Sequence, residues 1–499
     1  MAKITLNGKA VSVEEGIVLS QLIGERAHLD TPCGGRGHCG KCRVQASGKL
    51  SPVSKSEKEL LTAEDLQNGI RLACCCRVEG DCTVTTSDDR KTYVLGAEQK
   101  KTDSVNPFFT RYGAAVDIGT TTLAAVLYAL DGRILAQSGK MNPQSKWGAD
   151  VISRIDASLK GQGEELACSV QNGINNLLIE MCRDAGISVD AVDGMVITGN
   201  TAMLYLLTRS NPDCLSHAPF EMDRGFGEIV TGESLHLICQ QAKVYLPRCL
   251  SSFVGADTNT ALLSSRLLEQ PESCIMADIG TNGEIALWNN GKLLCCSTAA
   301  GPAFEGAGLS MGMPGQDGAV DHVTVENGKL KAHVLGDTEP VGICGSGIID
   351  ALACLLETED LDETGHLEDE EVAVCGKVTV SQKDIRTMQL AKSAICAGIQ
   401  TLMDTARVKT EDIGELAIAG GFGSYLNAES AGRIGLIPGE LAGKVRVLGN
   451  AALKGAAELL LNKDRISCSE SIADMAETVD LSTNHSFMQA YTEGMFFDA

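Results

Sequence analysis

The segment AAVDIGTTTLAAVLYALDGRILAQSG, residues 114–139, decides the fold of the larger part of this 499-residue chain. Its pattern predicts an apolar strand, a turn at Asp117-Ile-Gly-Thr, a second apolar strand, an Asp-Gly turn and a third strand. The segment IMADIGTNGEIALWNNGKLLCCST, residues 275–298, repeats this order with Asp278 in its first turn. A repeat at such a separation is typical of a duplicated α/β domain and not of a short-period solenoid.

The two Asp-Ile-Gly-Thr turns carry groups that suit phosphate. One such turn alone is an ordinary hairpin, but two in similar strand settings indicate a functional pair. Backbone N–H groups and hydroxyls in a tight turn form a nest for phosphate oxygens, and each aspartate can hold Mg²⁺ through water or orient an attacking water. No G-x-x-x-x-G-K-[ST] sequence occurs, which excludes a P-loop enzyme. The predicted phosphate-binding residues are Gly119, Thr120, Thr121, Thr122, Gly280, Thr281, Asn282 and Gly283.

Three further glycine motifs fit a nucleotide site, because glycine lets a ligand lie against the backbone. Gly255-Ala256-Asp257 begins a predicted helix of small residues, and Gly420-Gly421-Phe422 directly follows an apolar strand. Gly345-Ser346-Gly347 also begins a predicted helix. For this last motif a plain helix cap is an equally good interpretation.

The N-terminal region contains a cysteine loop, CGGRGHCGKC, at residues 33–42. Its C-x5-C-x2-C spacing is one residue longer in the first gap than the plant-type ferredoxin pattern, and a distant cysteine would complete the set. Glycines let such a loop wrap a cluster and direct amide N–H groups at its sulfurs. Cys33, Cys39, Cys42 and Cys74 are the candidate ligands. On a predicted strand, Cys75 would face away from Cys74, and Cys76 would be displaced by two residues.

A zinc site or a redox dithiol is the alternative for this loop. Zinc usually takes paired C-x2-C knuckles, and only one occurs here. The G-x-G-x-x-G match at Gly35–Gly40 is spurious, because no helix pattern follows it. Around the loop, the sequence predicts two strands joined at Asn7-Gly8, a helix capped by Ser56 and Glu59, and a closing strand within RLACCCRVEGDCTVTT.

Charge and composition limit the possible partners. The net charge is -23, and all of the excess lies beyond residue 90, since residues 1–90 contain equal numbers of acidic and basic side chains. An acidic body argues against nucleic acid and anionic membranes as partners. No apolar leader and no run of about 18 apolar residues occurs, so we expect a cytoplasmic protein whose 20 cysteines are mostly reduced.

These patterns predict four segments. A module of residues 1–87 carries the cysteine loop, and a polar linker spans 88–112. Two lobes of an α/β body follow, at 113–272 and 273–499.

The motifs resemble two known folds. The cysteine loop and the RLAC sequence before Cys74 resemble β-grasp [2Fe–2S] ferredoxins of the adrenodoxin-like branch. The body resembles the duplicated, ribonuclease H-like fold of the acetate and sugar kinase, heat-shock ATPase and actin superfamily. The resemblance assigns residues 117–122 and 278–283 to phosphate, 255–258 to a connecting segment and 420–422 to adenosine. It makes Asp257 and Asp278 candidates for positioning the hydrolytic water.

The chain as a whole resembles reductive activators of corrinoid proteins, which join such a ferredoxin domain to an actin-like ATPase. The resemblance also covers NPQSKWGADVISRI, VITGNTAML, STAAGPAFEGA, AKSAICAGIQTLM and GRIGLIPG. It implies an α/β protein overall with an α+β ferredoxin domain, and a [2Fe–2S] cluster, ATP and Mg²⁺ as cofactors. It implies ATP-driven reduction of cobalt(II) to cobalt(I) in the corrinoid protein of a methyl-transfer system, fed by a low-potential electron donor. A homodimer is compatible with this assignment.

Three other functions compete with this one. Activators of 2-hydroxyacyl-CoA dehydratases resemble the body but hold a [4Fe–4S] cluster between subunits. A redox-sensing, chaperone-like ATP-binding module would need no electron acceptor. A small-molecule kinase fused to a ferredoxin would need a substrate pocket, and none is legible in the sequence.

Overall fold

The structure, a computed structural model, describes residues 1–24, 29, 35–37, 40–86, 106–421 and 426–497. It divides into two units, the first formed by residues 1–91 with 143–157 and the second by residues 92–142 with 158–499. The sequence analysis did not separate residues 143–157 from the first lobe of the body. The domain boundaries at 87, 112 and 272 stay predictions.

The first unit is built on a five-stranded sheet with the order β2-β1-β5-β3-β4, in which β1 and β5 are parallel. Alternating residues of β5 are buried and exposed, as expected for a strand with one face on a core. Its elements are β1 (Ala2–Leu6), β2 (Lys9–Val13), α1 (Leu19–Gly24), β3 (Arg43–Leu50), α2 (Lys55–Leu60), α3 (Ala63–Gln67), β4 (Ile70–Leu72), β5 (Val78–Thr86) and α4 (Val151–Ala157).

The predicted cap of α2 is wrong by two residues. The capping box joins Ser54 and Glu57: Ser54 Oγ accepts from the Glu57 N–H at 3.2 Å, and Glu57 Oε2 accepts from the Ser54 N–H at 2.8 Å. Glu57 is fully buried and accepts a second hydrogen bond from Arg71 Nε at 2.8 Å. Burial opposes ionisation of Glu57, but the hydrogen bonds outweigh it and lower its pKa. The tertiary pairing with Arg71 thus selects one of two similar capping sequences.

The second unit contains two six-stranded sheets whose topologies match in five strands, which confirms the predicted repeat, and the sixth strand lies at opposite edges of the two sheets. The first has the order β10-β11-β9-β6-β7-β8, and the second β21-β20-β12-β13-β14-β22. In each sheet an antiparallel three-stranded meander precedes two strands that run parallel to its first strand. The strands of the first sheet are β6 (Tyr112–Ile118), β7 (Thr122–Ala129), β8 (Ile134–Met141), β9 (Val192–Gly199), β10 (Glu228–Thr231) and β11 (Lys243–Leu246).

The second half of this unit adds two small sheets to its six-stranded sheet. One has the order β16-β15-β17 and the other is the hairpin of β18 and β19. The strands of this half are β12 (Ser273–Ile279), β13 (Gly283–Asn289), β14 (Lys292–Thr298), β15 (Ala319–Glu326), β16 (Lys329–Val334), β17 (Gly342–Ile343), β18 (Glu371–Cys375), β19 (Val378–Ser381), β20 (Ile413–Ala419), β21 (Val445–Gly449) and β22 (Ala476–Thr478).

The helices of the second unit complete the α/β pattern. Among the helices that the structure describes, none combines the length and hydrophobicity needed to cross a bilayer. They are α5 (Gly163–Ala185), α6 (Thr201–Leu207), α7 (Ala256–Ser265), α8 (Gly345–Glu357), α9 (Gln382–Ala406), α10 (Ala428–Arg433), α11 (Ala451–Leu461), α12 (Ile466–Met475) and α13 (His485–Glu493).

Helices α7 and α11 join the two lobes in one hydrophobic core. This core contains side chains from β6 and β9 of the first sheet and from β12 and β20 of the second. The helices approach so closely that a Cβ on Gly455 would lie 1.8 Å from the carbonyl oxygen of Thr260. The absence of a side chain at Gly455 therefore allows α7 and α11 to pack at this distance.

Gly455→Ala should destabilise the second unit, because its methyl group would overlap the backbone of α7. Overpacking of this kind lowers the free energy of unfolding by about 2 kcal/mol or more, which exceeds the helix-propensity gain of about 1 kcal/mol. Urea unfolding of the full chain measures the change. Gly443→Ala is the matched control, since a Cβ there meets no atom within 4 Å. Equal stability of the two variants would contradict the packing described.

Candidate functional site

A cavity of about 220 Å³ in the second unit collects most of the residues predicted to bind nucleotide. Gly283 is not in its wall, and a Cβ at that residue would lie 2.1 Å from Ile395 Cδ1 of α9. Phe422 lies outside the described residues. The predicted residues in the wall are Asp117, Gly119, Thr120, Thr121, Thr122, Asp257, Asp278, Gly280, Thr281, Asn282, Gly345, Ser346, Gly420 and Gly421.

The first turn, between β6 and β7, is held by two asparagines. Asn142 Nδ2 donates to the Gly119 carbonyl at 2.8 Å, and Asn200 Nδ2 donates to Thr120 Oγ1 at 3.1 Å. The Gly119 N–H closes the turn onto the Thr122 carbonyl at 2.9 Å. A side chain on Gly119 would come within 2.9 Å of that same oxygen, which explains the glycine.

The second turn, between β12 and β13, is one residue shorter than the first. Its Gly280 N–H donates to the Asn282 carbonyl, two residues on, at 3.0 Å, whereas Gly119 donates to a carbonyl three residues on. The Gly301 N–H donates to the Thr281 carbonyl at 2.8 Å and attaches the following loop to the turn. Thr281 Oγ1 lies 3.5 Å from Thr121 Oγ1, so the turns of the two lobes meet.

The glycine motifs bring helix starts to the cavity. Gly255 precedes α7 and lies so close to Asn200 that a Cβ would be 2.5 Å from its Cα. Gly345 begins α8, and a Cβ there would lie 1.9 Å from the Phe304 carbonyl oxygen. Gly420 has a φ of +113° and would place a Cβ 2.4 Å from the Ile279 carbonyl oxygen. Gly345 is therefore both closely packed at a helix start and part of the cavity wall.

Buried carboxyl groups dominate the electrostatics of the cavity. Burial raises the pKa of Asp117 to about 6, although Asn450 Nδ2 donates to its Oδ2 at 2.9 Å. Burial and the charge of Asp117 raise the pKa of Asp278 to about 7. Burial and the charges of Asp117 and Asp278 raise the pKa of Asp257 to about 8. For Glu284, burial and the charges of Asp257 and Asp278 raise the pKa well above its ordinary value.

The cavity wall, where the structure describes it, contains no lysine, arginine or histidine. Close carboxyl groups without a basic partner favour a divalent cation or a bound proton. Within the described ranges, no three Asp, Glu, His or Cys side chains are grouped tightly enough to hold a metal by themselves. Mg²⁺ suits such a site, because it keeps several waters and takes only one or two carboxylates.

The sequence analysis did not single out five polar residues of the cavity wall. Asn200 lies in the quoted VITGNTAML segment and caps α6, accepting from the Met203 N–H at 2.9 Å. Asn450 caps α11 in the same way after β21. An asparagine at the junction of an apolar strand and a helix was the available signal for both. The five residues are Asn200, Glu284, Glu305, Asp321 and Asn450.

The cysteine site of the first unit is described in part. Cys42 Sγ and Cys74 Sγ lie 3.2 Å apart, whereas Cys33 and Cys39 lie outside the described residues. The hydrogen bond with Cys42 and burial raise the pKa of the Cys74 thiol. Gly35, Gly37 and Gly40 all have positive φ, as a loop that curls around a cluster requires. Two converging thiols and this glycine loop fit an iron–sulfur cluster.

The prediction that Cys74, Cys75 and Cys76 lie on a strand is wrong. Residues 73–75 form a turn between β4 and β5, so alternation between strand faces does not separate them. Cys75 Sγ lies 3.6 Å from Cys74 Sγ. Cys76 is buried in the core of the sheet, and burial raises its pKa to about 11.

Three protein families match successive parts of the chain. The family described as the 2Fe-2S iron-sulfur cluster binding domain matches residues 4–79. The family described as the RACo middle region matches residues 112–270, and that described as the C-terminal domain of RACo, the ASKHA domain, matches residues 272–499. The predicted fold class, a ferredoxin domain followed by an actin-like ATPase body, is confirmed.

Individual relatives match over most of their length. The corrinoid activation enzyme RamQ of Eubacterium limosum is 36% identical over 423 residues, 77% of this chain and 70% of that protein. The Co(II) methylated amine-specific corrinoid protein reductase of Methanosarcina barkeri is 27% identical over 417 residues, 76% of each. A solved structure, the reductive activator for corrinoid, iron-sulfur protein, is 26% identical with a TM-score of 0.76, over 100% of this chain and 98% of that one.

Asp257→Asn should change how the stability of the protein depends on pH. The pKa of Asp257 rises from an ordinary 3.8 to about 8 in the folded state, so the folded protein binds more protons between these values. The wild type therefore loses stability as the pH rises through this window, and the variant loses less, because it keeps Asp117, Asp278 and Glu284 but lacks Asp257. Relative to the wild type, the free energy of unfolding of the variant should rise by up to about 1.4 kcal/mol per pH unit from about pH 5 to about pH 8.

Urea unfolding without nucleotide or divalent cations measures this difference. Asp131→Asn, a substitution at an exposed turn, should instead follow the wild type at every pH. A constant difference between Asp257→Asn and the wild type across the window would contradict the electrostatics of the cavity.

Proposed function

The chain belongs to the family of reductive activators of corrinoid proteins, and we propose that it uses ATP hydrolysis to restore cobalt(I) in a corrinoid protein of a methyl-transfer system. The observation that carries this proposal is the presence, in one chain, of a 2Fe-2S binding domain and an ASKHA domain with a carboxyl-lined cavity between two phosphate-type turns. The relatives RamQ and the Co(II) corrinoid protein reductase support the same activity.

The redox part of the reaction is a single electron transfer. A [2Fe–2S] cluster supplies one electron at a time, at about −400 mV for the plant type, and cobalt(II) takes up one electron to become cobalt(I). We assign Cys33, Cys39, Cys42 and Cys74 to holding it, with a low-potential donor replacing the electron after each transfer. The proximity of Cys42 and Cys74 within one chain supports a cluster held by a single subunit.

ATP is needed because the electron moves uphill. For a one-electron couple, every ~59 mV by which the acceptor lies below the donor lowers the reduced fraction tenfold. Binding of ATP in the cavity, followed by hydrolysis to ADP and phosphate, can favour the state in which the electron has been transferred.

The proposed roles in hydrolysis follow from the cavity. The N–H and hydroxyl groups of residues 119–122 and 280–282 bind the phosphates, with Mg²⁺ held through water by Asp117. Gly345 and Ser346 lie in the wall as well, and Gly420, Gly421 and Phe422 are assigned to adenosine. Asp257 and Asp278 orient the attacking water. Their pKa values of about 8 and about 7 suit proton transfer near neutral pH.

Cobalt(I) formation should depend on ATP and on the cysteine loop. The protein is reduced anaerobically with titanium(III) citrate and mixed with a cobalt(II) corrinoid protein, and cobalt(I) absorbance is followed with and without MgATP. Cys39→Ser should lose both the [2Fe–2S] absorption and cobalt reduction while ATP binding persists. Cys468→Ser changes an exposed cysteine and should behave as wild type. Cobalt reduction that is indifferent to ATP would refute the proposal.

Asp278→Asn should abolish ATP hydrolysis and leave the cluster spectrum unchanged. The asparagine keeps the shape of the side chain but cannot accept the proton of the attacking water. We expect a loss of at least about 100-fold in turnover, the lower bound for general-base catalysis. Phosphate release measures this rate, with Asp131→Asn as the control. Normal turnover in Asp278→Asn would show that the phosphate site lies elsewhere.

A further inference from the structure

Glu305 connects the turns of the two lobes. Its Oε2 accepts a hydrogen bond from Thr281 Oγ1 at 2.9 Å and another from Thr121 Oγ1. Thr121 lies between β6 and β7 of the first lobe, and Thr281 lies between β12 and β13 of the second. One carboxylate oxygen therefore bridges both predicted phosphate turns.

Glu305 is fixed on the side of the second lobe. It ends a short 3-10 helix, Pro302–Glu305, that follows Gly301, whose N–H is bound to the Thr281 carbonyl. Phe304, before Glu305, is fully buried, and a Cβ on Gly306, after Glu305, would lie 2.3 Å from the Met313 carbonyl oxygen. Because Glu305 is held with the second turn, its bond to Thr121 crosses from one lobe to the other.

The contacts of Glu305 are those expected for a phosphate oxygen. Turns rich in hydroxyl and N–H donors bind anionic oxygens, and a carboxylate oxygen is such an acceptor. We propose that Glu305 competes with the phosphates of ATP for Thr121 and Thr281. Without nucleotide it holds the two turns together, and it must release Thr121 before both turns can bind phosphate. We name the arrangement Thr121–Glu305–Thr281 the carboxylate latch. This inference rests on the proposed function, since it takes the cavity to be the ATP site.

The charge of the cavity supports this role. Glu305 lies among five further carboxyl groups in a wall whose described part has no basic side chain. Its charge contributes, after burial and Asp117, to the raised pKa of Asp278. A phosphate entering beside ionised Glu305 is repelled, and a divalent cation that accompanies the phosphate reduces this repulsion. The carboxylate latch therefore hinders the binding of metal-free nucleotide more than the binding of nucleotide that carries a divalent cation.

The latch makes a kinetic prediction. If only molecules with an open latch accept nucleotide, the apparent dissociation constant is the intrinsic one divided by the open fraction. Removing the latch raises that fraction and so raises the association rate constant. The dissociation rate constant stays the same, because the latch is already open when nucleotide is bound.

Glu305→Gln tests this inference in the full chain. The amide keeps the size of the side chain but removes its charge and weakens its hydrogen bonds to both threonines. Stopped-flow mixing with fluorescent methylanthraniloyl-ADP should show association faster by roughly fivefold to tenfold and dissociation unchanged within about twofold. The gain should be larger in EDTA than in Mg²⁺.

Two further variants make the result decisive. Glu326→Gln removes the same charge at an exposed position of β15 and should bind as wild type does. Glu305→Asp keeps the charge on a shorter side chain that cannot reach both threonines, and should give a smaller gain even if Glu305→Gln folds poorly. If the wild type binds nucleotide and neither Glu305 variant associates faster, the latch is refuted and the ATP site stands. If the wild type binds no nucleotide, the proposed function itself fails.

Discussion

The organisation of the second unit depends on the meeting of two hairpin turns from opposite lobes. Thr121 Oγ1 and Thr281 Oγ1 approach to 3.5 Å although 160 residues separate them. Neither turn could bring them together alone, since each is a short connection within its own sheet. The core beneath, where α7 and α11 touch at Gly455, packs the two sheets against each other and limits how far apart the turns can lie.

The contact between the two turns also brings several carboxyl groups together in a buried region. Asp117, Asp257 and Asp278 come from three separate strand or helix ends, and each has a pKa at or above about 6. Grouping ionised carboxyl groups in this way opposes folding, and perturbed titration of this kind is typical of functional sites. A core that needed only stability would contain asparagine or apolar residues here. This grouping of carboxyl groups is explained if a cation and phosphates bind among them.

How much the sequence could predict follows from the range of the interactions involved. Strands, turns and their repetition at 114–139 and 275–298 are encoded locally, and they were predicted. Contacts such as Asn450 with Asp117, 333 residues apart, leave no local trace. The choice of Ser54 over Ser56 as the cap of α2 depends on Arg71, which only the fold brings near. The prediction of a strand at Cys74 is wrong because the chain forms a turn there. The roles of Cys33, Cys39 and Phe422 stay predictions.

Residues 143–157 belong to the first unit although the residues on both sides of them belong to the second, and this limits how the two units can be separated. The chain passes between units at residues 91–92, again at 142–143 and a third time at 157–158. This segment starts directly after Asn142, which holds the first turn. It contains Gln144 and Arg154, whose side chains are both fully buried. A cut near residue 91 would therefore leave residues 143–157, which belong to the first unit, on the same fragment as the second unit. The two units consequently cannot be obtained as separate polypeptides by dividing the chain at one point.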